Sequence, residues 1–165
     1  MTSFKVTNSF RRQLEFAPGA WVGLMKDLQQ RSGGCRESGA FLLADRTRGD
    51  RVIRSWLPYD TLAPESLAHD YVRLESSAFS RLWRWCEETG TEVVADVHTH
   101  PGGPRQSRSD RTYPMVALPG HIALIVPSFA ARSPQPIDCS FNIYLGDQRW
   151  RSYLRRGADR HIVAP

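Results

Sequence analysis

Residues Glu92 to Pro101 read EVVADVHTHP and give the clearest strand signal in the chain. The small and β-branched apolar residues before the histidines predict a buried strand from Glu92 to His100. Side chains alternate between the two faces of a strand, so we expect His98 and His100 on the same face. They would stand about 6.5 Å apart along the strand, close enough for both imidazoles to bind one metal ion.

A loop rich in Gly, Pro, Ser and Arg follows this strand from Pro101 to Pro114. Within it, Asp110 offers a carboxylate as a third ligand. Two imidazoles and one carboxylate around a tetrahedral ion leave one position open, as in catalytic rather than structural zinc sites. Two other interpretations stay open from the residues alone. A His-x-His pair also occurs by chance at an exposed strand end, and Ser107-x-x-Asp110 is also a helix-start signal.

The rest of the chain predicts helices and strands in a mixed order. Helices are predicted at residues 18–31 and 76–89, and strands at residues 39–44, 51–57, 121–126, 139–145 and 148–154. Weaker strand signals occupy residues 4–15 and 71–74, and residues 58–69 have the composition of a loop. This order predicts an α/β (α+β) fold with a mixed β-sheet flanked by helices, and the length predicts one domain over residues 1–165.

Composition excludes several classes of protein and indicates a compartment. The 165 residues are 41% hydrophobic and 24% charged, which excludes a disordered tail, a collagen-like rod and a coiled coil. The three cysteines form no Cys-x-x-Cys pair, so neither a disulfide framework nor a cysteine-based zinc site is indicated. No apolar stretch approaches the ~18 residues of a membrane span, and residues 1–16 lack the apolar centre of a signal peptide. We therefore expect a cytoplasmic protein with no membrane partner.

The sequences HTHP at residues 98–101 and SRSD at residues 107–110 together resemble the signature of the JAMM zinc metalloproteases, which contain a JAB (MPN) domain. The resemblance extends from about the first predicted helix to the strand near Cys139. Five residues separate the two motifs where the family usually has six. The second motif keeps its internal spacing, and Ser109 is the alternative to Ser107 if the shorter loop displaces it.

The family also uses a glutamate just before a buried strand, and ESGAFLL at residues 37–43 matches that context. Taken alone, Glu37 would be an ordinary charged residue in front of a strand. With the signature downstream, the resemblance makes Glu37 the catalytic glutamate and Ser107 a second catalytic residue. The ligands that it implies for one catalytic Zn²⁺ are His98, His100 and Asp110.

The resemblance also implies an architecture and a reaction. It implies a cytidine deaminase-like architecture and hydrolysis of an amide or isopeptide bond. Glu37 would take a proton from the attacking water and pass it to the leaving amine, while Ser107 would donate to the developing oxyanion. The implied substrate is a ubiquitin-like protein, cut after its C-terminal glycine during deconjugation or precursor processing. A small bacterial member of this kind would act in a bacterial ubiquitin-like conjugation or antiphage system.

Other functions use the same residues or the same family. One alternative is a peptidase that acts on a sulfur-carrier protein adduct, which needs the same site. Another is a non-catalytic or DNA-associated JAB-domain protein. All ligand positions are present, which argues against a non-catalytic scaffold, and the sequence has no aromatic–basic platform of the RNA-binding type. We therefore do not expect nucleic acid as a partner.

The basic residues are unusual in kind. The net charge is +5, and only two of the 22 Lys and Arg residues are lysines. An arginine excess reflects either genomic base composition or recognition of carboxylate and phosphate groups, and both interpretations stay open. The arginines that flank the predicted site are Arg36, Arg105, Arg108 and Arg111. They are candidates for contact with an acidic surface of a protein substrate.

Overall fold

A six-stranded mixed sheet forms the centre of the computed structural model, which describes residues 14–67 and 74–165. The strands are β1 (Leu14–Glu15), β2 (Gly39–Asp45), β3 (Ile53–Pro58), β4 (Thr91–Thr99), β5 (Ile122–Val126), β6 (Ser140–Gly146), β7 (Arg149–Leu154) and β8 (Ile162–Val163). The helices are α1 (Ala20–Ser32), α2 (Tyr59–Leu62), α3 (Ser76–Thr89), α4 (Arg108–Thr112) and α5 (Arg156–Asp159). The sheet has the order β3-β2-β4-β5-β6-β7, and β1 pairs separately with β8. The predicted fold class, a mixed β-sheet flanked by helices, is confirmed.

Strand β4 lies inside the sheet, and its carboxyl end meets two other segments. It runs antiparallel to β2 and parallel to β5. Gly39 at the start of β2 lies opposite His98, and Val126 at the end of β5 lies beside Thr99. The carboxyl ends of β4 and β5 and the segment before β2 therefore meet at one end of the sheet. Ligand sites of α/β sheets lie at such carboxyl ends.

Apolar side chains of β2 alternate between two cores on opposite faces of the sheet. Ala40 and Leu42 contact the core under α1, whereas Phe41 and Leu43 contact the core under α3. All of β2 except its last residue is buried, as expected of a strand that is covered on both faces. Helices therefore cover both sides of the sheet and give the protein three layers.

The two long helices begin and end close to their predicted bounds. Glycines in the left-handed region end both helices, Gly33 with φ of 56° and Gly90 with φ of 65°. The large apolar residues at helical spacing in α1 are all buried: Trp21, Leu24, Met25 and Leu28. The buried residues of α3 are Ala78, Leu82 and Cys86. The sequence spacing places Trp83 on the same helix face as Leu82 and Cys86. It is nevertheless 49% exposed, because it lies at the edge of the row of buried residues.

The segment 58–69 has the composition of an irregular loop, but its described part, residues 58–67, is ordered into short helices. They contain α2 and a short 3-10 helix over Pro64–Leu67. Tyr59 accounts for the difference, because its side chain is fully buried and packs edge to face against Phe41 with ring centroids 5.0 Å apart. Burial of a large aromatic side chain orders a segment that its turn-forming residues alone would leave irregular.

The weak strand signal at residues 4–15 falls mostly outside the described residues. Its described end, Leu14–Glu15, pairs with Ile162–Val163 rather than with the main sheet. The signal at residues 71–74 lies outside them except for its last residue. No helix in the described part of the chain has the length and apolar character needed to cross a membrane. One domain over residues 1–165 stays a prediction.

Candidate functional site

The three predicted metal ligands converge at the carboxyl end of β4. His98 lies near the end of this strand, His100 follows it, and Asp110 lies in α4. Nε2 of His98 is 3.2 Å from Oδ1 of Asp110, and Nε2 of His100 is 3.2 Å from Oδ2 of the same carboxylate. The two Nε2 atoms are 3.1 Å apart. Two ligand atoms bound ~2.0–2.1 Å from one tetrahedral ion lie ~3.3 Å from each other, so these separations fit a metal site.

Backbone hydrogen bonds hold the two histidines in position. Thr99, between them, is buried on the opposite face, where its Oγ1 accepts a hydrogen bond from N of Ser38 at 2.9 Å. N of His100 donates to the carbonyl of Val126 at 2.9 Å. The carbonyl of His100 in turn accepts from N of Phe129 at 2.9 Å. The end of β4 is therefore fixed from both neighbouring segments, as a preorganised ligand pair requires.

Asp110 is positioned by a capping box at the start of α4. Its backbone N donates to Oγ of Ser107 at 3.1 Å, and N of Ser107 donates to Oδ2 of Asp110 at 2.6 Å. Ser107-x-x-Asp110 is thus a helix start and also brings a carboxylate to the histidines, so the two interpretations of this motif hold together. Because the Ser107 oxygen accepts in this bond, its O–H remains a donor.

Glu37 reaches the same cluster from the segment before β2. Gly39 pairs with His98 in the antiparallel register, which brings Glu37 level with His100. Oε1 of Glu37 is 4.0 Å from Nε2 of His100, and the Glu37 side chain is 16% exposed. The structure therefore brings all five predicted site residues together: Glu37, His98, His100, Ser107 and Asp110.

Charge couples the members of this cluster. Burial lowers the pKa of His98, but the hydrogen bond and negative charge of Asp110 outweigh burial, so the net pKa is raised. Burial raises the pKa of Asp110, but hydrogen bonds from His100 and His98 outweigh it and hold the pKa of this carboxyl well below its usual range. Asp110 therefore stays ionised at neutral pH, which is the state that a metal ligand needs.

A cavity of about 750 Å³ lies beside the cluster and is lined by Glu37, Ser107 and the ligands His98 and Asp110. Its apolar wall includes Leu74, Phe79, Met115 and Trp150. Nε1 of Trp150 donates to the carbonyl of Arg111 at 3.1 Å, which ties the loop after β4 to strand β7. A volume of this size is typical of sites that enclose a small ligand or a short chain segment.

Sequence reasoning missed Asp96, a carboxylate that lines the cavity two residues before His98. Asp96 is 1% exposed, and its Oδ1 is 2.6 Å from Nε2 of His121. Its Oδ2 accepts a hydrogen bond from the hydroxyl of Tyr59 at 3.1 Å. Strand alternation was the available signal, because residues 96, 98 and 100 share one face of β4. We call Asp96, His121 and Tyr59 the Asp96 cluster.

Gly39 makes room for the Asp96 cluster. A Cβ at this position would overlap the ring of Tyr59 and would lie 2.6 Å from the carbonyl oxygen of Val97. A glycine at this position therefore lets Tyr59 cross the start of β2 and reach Asp96. Close packing therefore explains why position 39 holds a glycine.

The site and the fold agree with a known family. Two imidazoles and one carboxylate suit zinc and other divalent transition ions. The family model described as prokaryotic homologs of the JAB domain matches residues 27–142, more than half of the chain. The chain belongs to this family. The matched segment of the JAB-domain protein contains Glu37, His98, His100 and Asp110, so the family resemblance found from the sequence is confirmed.

Individual proteins resemble this chain in part of the sequence or in the fold. A curated relative, "Probable metalloprotease y4jG" from Sinorhizobium fredii (strain NBRC 101917 / NGR234), is 32% identical over 59 residues, and the match spans 36% of each chain. A solution structure of a protein from Desulfitobacterium hafniense has a TM-score of 0.63 at 15% identity and covers 93% of both chains. One from Salinibacter ruber has a TM-score of 0.58 at 19% identity and covers 92% of both. At these identities the two structures show a shared fold alone.

Proposed function

We propose that this JAB-domain protein is a zinc-dependent isopeptidase or peptidase that cleaves after the C-terminal glycine of a ubiquitin-like protein. The proposal is carried by the convergence of His98, His100 and Asp110, with ligand-atom separations of 3.1–3.2 Å. Oε1 of Glu37 lies 4.0 Å from Nε2 of His100. A water molecule bound where the three ligands converge would therefore lie within hydrogen-bond reach of Glu37. Three protein ligands beside a cavity are the arrangement of a catalytic rather than a structural ion.

His98, His100 and Asp110 would hold the ion. When bound at such a site, zinc polarises a carbonyl group and lowers the pKa of water toward neutrality. Both histidines present Nε2, and the carboxylate of Asp110 is held by the N–H of Ser107 at 2.6 Å. Outer hydrogen bonds of this kind orient metal ligands.

The remaining residues of the cluster handle the proton and the oxyanion. Glu37 accepts a proton from the attacking water and passes it to the leaving amine, acting first as base and then as acid. The oxygen of the water first bonds to the glycine carbonyl carbon, and the C=O electrons move to the carbonyl oxygen. The C–N bond then breaks as these electrons return and the leaving amine takes the proton from Glu37. Ser107 donates its O–H to the carbonyl oxygen as negative charge develops there, since its own oxygen already accepts from N of Asp110.

The cavity supports a tail-like substrate. Its volume of about 750 Å³ suits a few residues of extended chain rather than a folded domain. Aliphatic side chains of such a tail would pack on the wall that contains Leu74, Phe79 and Trp150, while the glycine lies at the cluster. The setting that we propose is the reducing cytoplasm, which suits the free thiols of the chain, Cys35, Cys86 and Cys139.

Metal analysis and cleavage by matched variants test the proposal. The substrate is a bacterial ubiquitin-like protein with a C-terminal peptide extension, and a sulfur-carrier protein adduct serves as the second substrate. Glu37→Gln should keep one zinc per chain and lose about 10²–10⁴-fold in turnover, whereas His100→Ala should lose both zinc and turnover. Glu65→Gln, at an exposed glutamate outside the site, is the control. Full turnover in Glu37→Gln or in metal-stripped protein would contradict the mechanism. Cleavage of the sulfur-carrier adduct without cleavage of the ubiquitin-like protein would contradict the proposed substrate.

A further inference from the structure

Carboxylates line the cavity, and exposed arginines stand next in sequence to several of its lining residues. Three carboxylates line the cavity, those of Glu37, Asp96 and Asp110. Four exposed arginines each stand next in sequence to a residue that lines it: Arg36, Arg105, Arg108 and Arg111. We call these four the rim arginines. Exposed guanidinium groups beside a site attract partners that carry negative charge.

The rim arginines form no ion pair among the described residues, in contrast to several of the other arginines. Six arginines away from the rim form ion pairs with Asp or Glu, such as Arg54 with Asp50 at 2.8 Å. No ion pair between residues that the structure describes involves a rim arginine. Arg36 donates from Nε only to a backbone carbonyl, that of Arg31, at 3.2 Å. Among the residues that the structure describes, no carboxylate therefore neutralises the rim arginines.

The rim arginines stand on segments that are held in place. Arg108 and Arg111 are three residues apart on α4, so their side chains share one side of the helix. The carbonyl of Arg111 accepts from Trp150, and Gln106 accepts from Oγ of Ser152 at 3.3 Å. Both bonds tie this segment to β7, so less ordering entropy is lost when a partner binds.

We propose that the rim arginines dock an acidic surface of the protein substrate, around the base of the tail that enters the cavity. This inference rests on the proposed function, because the partner is the substrate of the same site. A guanidinium pairs with a carboxylate through two parallel hydrogen bonds, which favours Asp and Glu side chains on the partner. The substrate that fits best therefore carries acidic side chains around the base of its tail.

The neighbouring surface suits a protein partner. Tyr113 follows α4 directly and is 78% exposed, and Leu118 in the same connection is 64% exposed. Tyr and Arg are the residue types enriched at protein–protein contacts, whereas a nucleic-acid surface of the stacking type interleaves aromatic residues with a basic groove. Exposed apolar side chains next to cationic ones therefore favour a protein partner over a nucleic-acid partner.

Binding to a pair of carrier proteins tests the inference. The carriers share one small domain and one neutral tail, in which the glycine is followed by a short peptide extension that the enzyme can remove. They differ only in four residues around the base of the tail, either Asp/Glu or Lys. Zinc-loaded Glu37→Ala protein, which cannot turn the carrier over, should bind the acidic carrier at least about tenfold more tightly at low salt. The preference should shrink as salt rises, because exposed charges are screened.

Charge reversal assigns the preference to particular arginines. In the Glu37→Ala protein, the double substitution Arg105→Glu/Arg108→Glu should abolish the preference for the acidic carrier. Arg36→Glu, on a different segment, should reduce this preference. Arg84→Glu/Arg156→Glu makes the same change in net charge at exposed arginines away from the cavity and should leave the preference intact. Thermal unfolding of each variant checks that its fold is retained.

Three outcomes would overturn the inference. They are equal binding of both carriers, an unchanged preference after reversal at the rim, and tighter binding of duplex DNA than of the acidic carrier. Because the assay measures binding, its result is independent of catalysis. Failure of zinc-loaded wild-type protein to cleave any carrier would reject the proposed function and leave the rim preference to be judged on binding alone.

Discussion

Two clusters of imidazole and carboxylate groups lie side by side on β4, but they differ in form. Asp96 and His98 are two residues apart and share one face of the strand. In the Asp96 cluster each carboxylate oxygen has its own donor, Nε2 of His121 at 2.6 Å and the hydroxyl of Tyr59 at 3.1 Å. Each contact pairs one donor with one acceptor, so this cluster is complete without a cation.

The cluster at the end of β4 is arranged differently. Nε2 of His98, Nε2 of His100 and the carboxylate of Asp110 all face one another at 3.1–3.2 Å. A shared proton satisfies one of these contacts, whereas a divalent cation accepts all three ligands at once. Convergence of three ligand atoms on one point, rather than a histidine beside an aspartate, therefore distinguishes a metal site from a structural hydrogen-bond cluster.

The sharpest test of this difference replaces one carboxylate in each cluster. Asp110→Asn should weaken zinc binding by more than about 100-fold and reduce turnover to background, because a neutral amide replaces a charged ligand. Asp96→Asn should keep wild-type zinc affinity but lower the free energy of unfolding by about 2–3 kcal/mol, since two buried donors lose a charged acceptor. Competition with a chelator of known zinc affinity and urea unfolding measure the two effects. Loss of zinc from a folded Asp96→Asn protein would show that the clusters are one site.

The proximity of His98, His100 and Asp110, the candidate metal ligands, was predictable because its geometry is mostly local. Strand alternation places His98 and His100 on one face, and a capping box fixes the distance between Ser107 and Asp110. Only Glu37 comes from a distant segment, and the family resemblance, rather than any spacing rule, pointed to it. The catalytic roles of Glu37 and Ser107 and the identity of the metal stay predictions.

The Asp96 cluster was not predictable because its members are far apart in sequence. His121 and Tyr59 are 25 and 37 residues away from Asp96. Tyr59 also lies in a segment whose prolines and polar residues indicate a loop, so nothing local marks it as buried. Pairing of this kind depends on the register of β2, β4 and β5, which one sequence does not supply.

The next largest effect concerns the serine that caps α4. Ser107→Ala should lower turnover by ~10²–10³-fold through loss of an oxyanion donor and should also cost about 1 kcal/mol of stability as a lost helix cap. Ser109→Ala is the matched control, because Ser109 also lines the cavity and would take this role if the short loop displaced Ser107. Steady-state kinetics separate the two serines. A larger loss of turnover in Ser109→Ala would assign the oxyanion donor to Ser109.

The smallest effect tests the hydrogen bond inside the Asp96 cluster. Tyr59→Phe should leave zinc binding unchanged and lower the free energy of unfolding by about 2 kcal/mol at neutral pH, since the buried Asp96 carboxylate loses one donor. Burial, and after it the charge and hydrogen bond of Asp96, raises the pKa of Tyr59 well above its ordinary value. The hydroxyl of Tyr59 therefore stabilises the fold fully below the ordinary tyrosine pKa of about 10, and this contribution is lost as the pH rises beyond it.

The pH dependence separates the hydroxyl from the ring of Tyr59. Above about pH 10 the unfolded chain ionises Tyr59 while the folded chain resists, so wild-type stability should fall more steeply with pH than that of Tyr59→Phe. All other titrating groups are common to both proteins, so the difference between their urea-unfolding curves from pH 7 to about 11 isolates this one residue. The free energies of unfolding of the two proteins should converge as the pH rises, because the wild-type protein loses the contribution of the Tyr59 hydroxyl and the variant has no such hydroxyl. Parallel curves over this range would mean that Tyr59 titrates alike in the folded and unfolded chains, which would contradict both its burial and its hydrogen bond to Asp96.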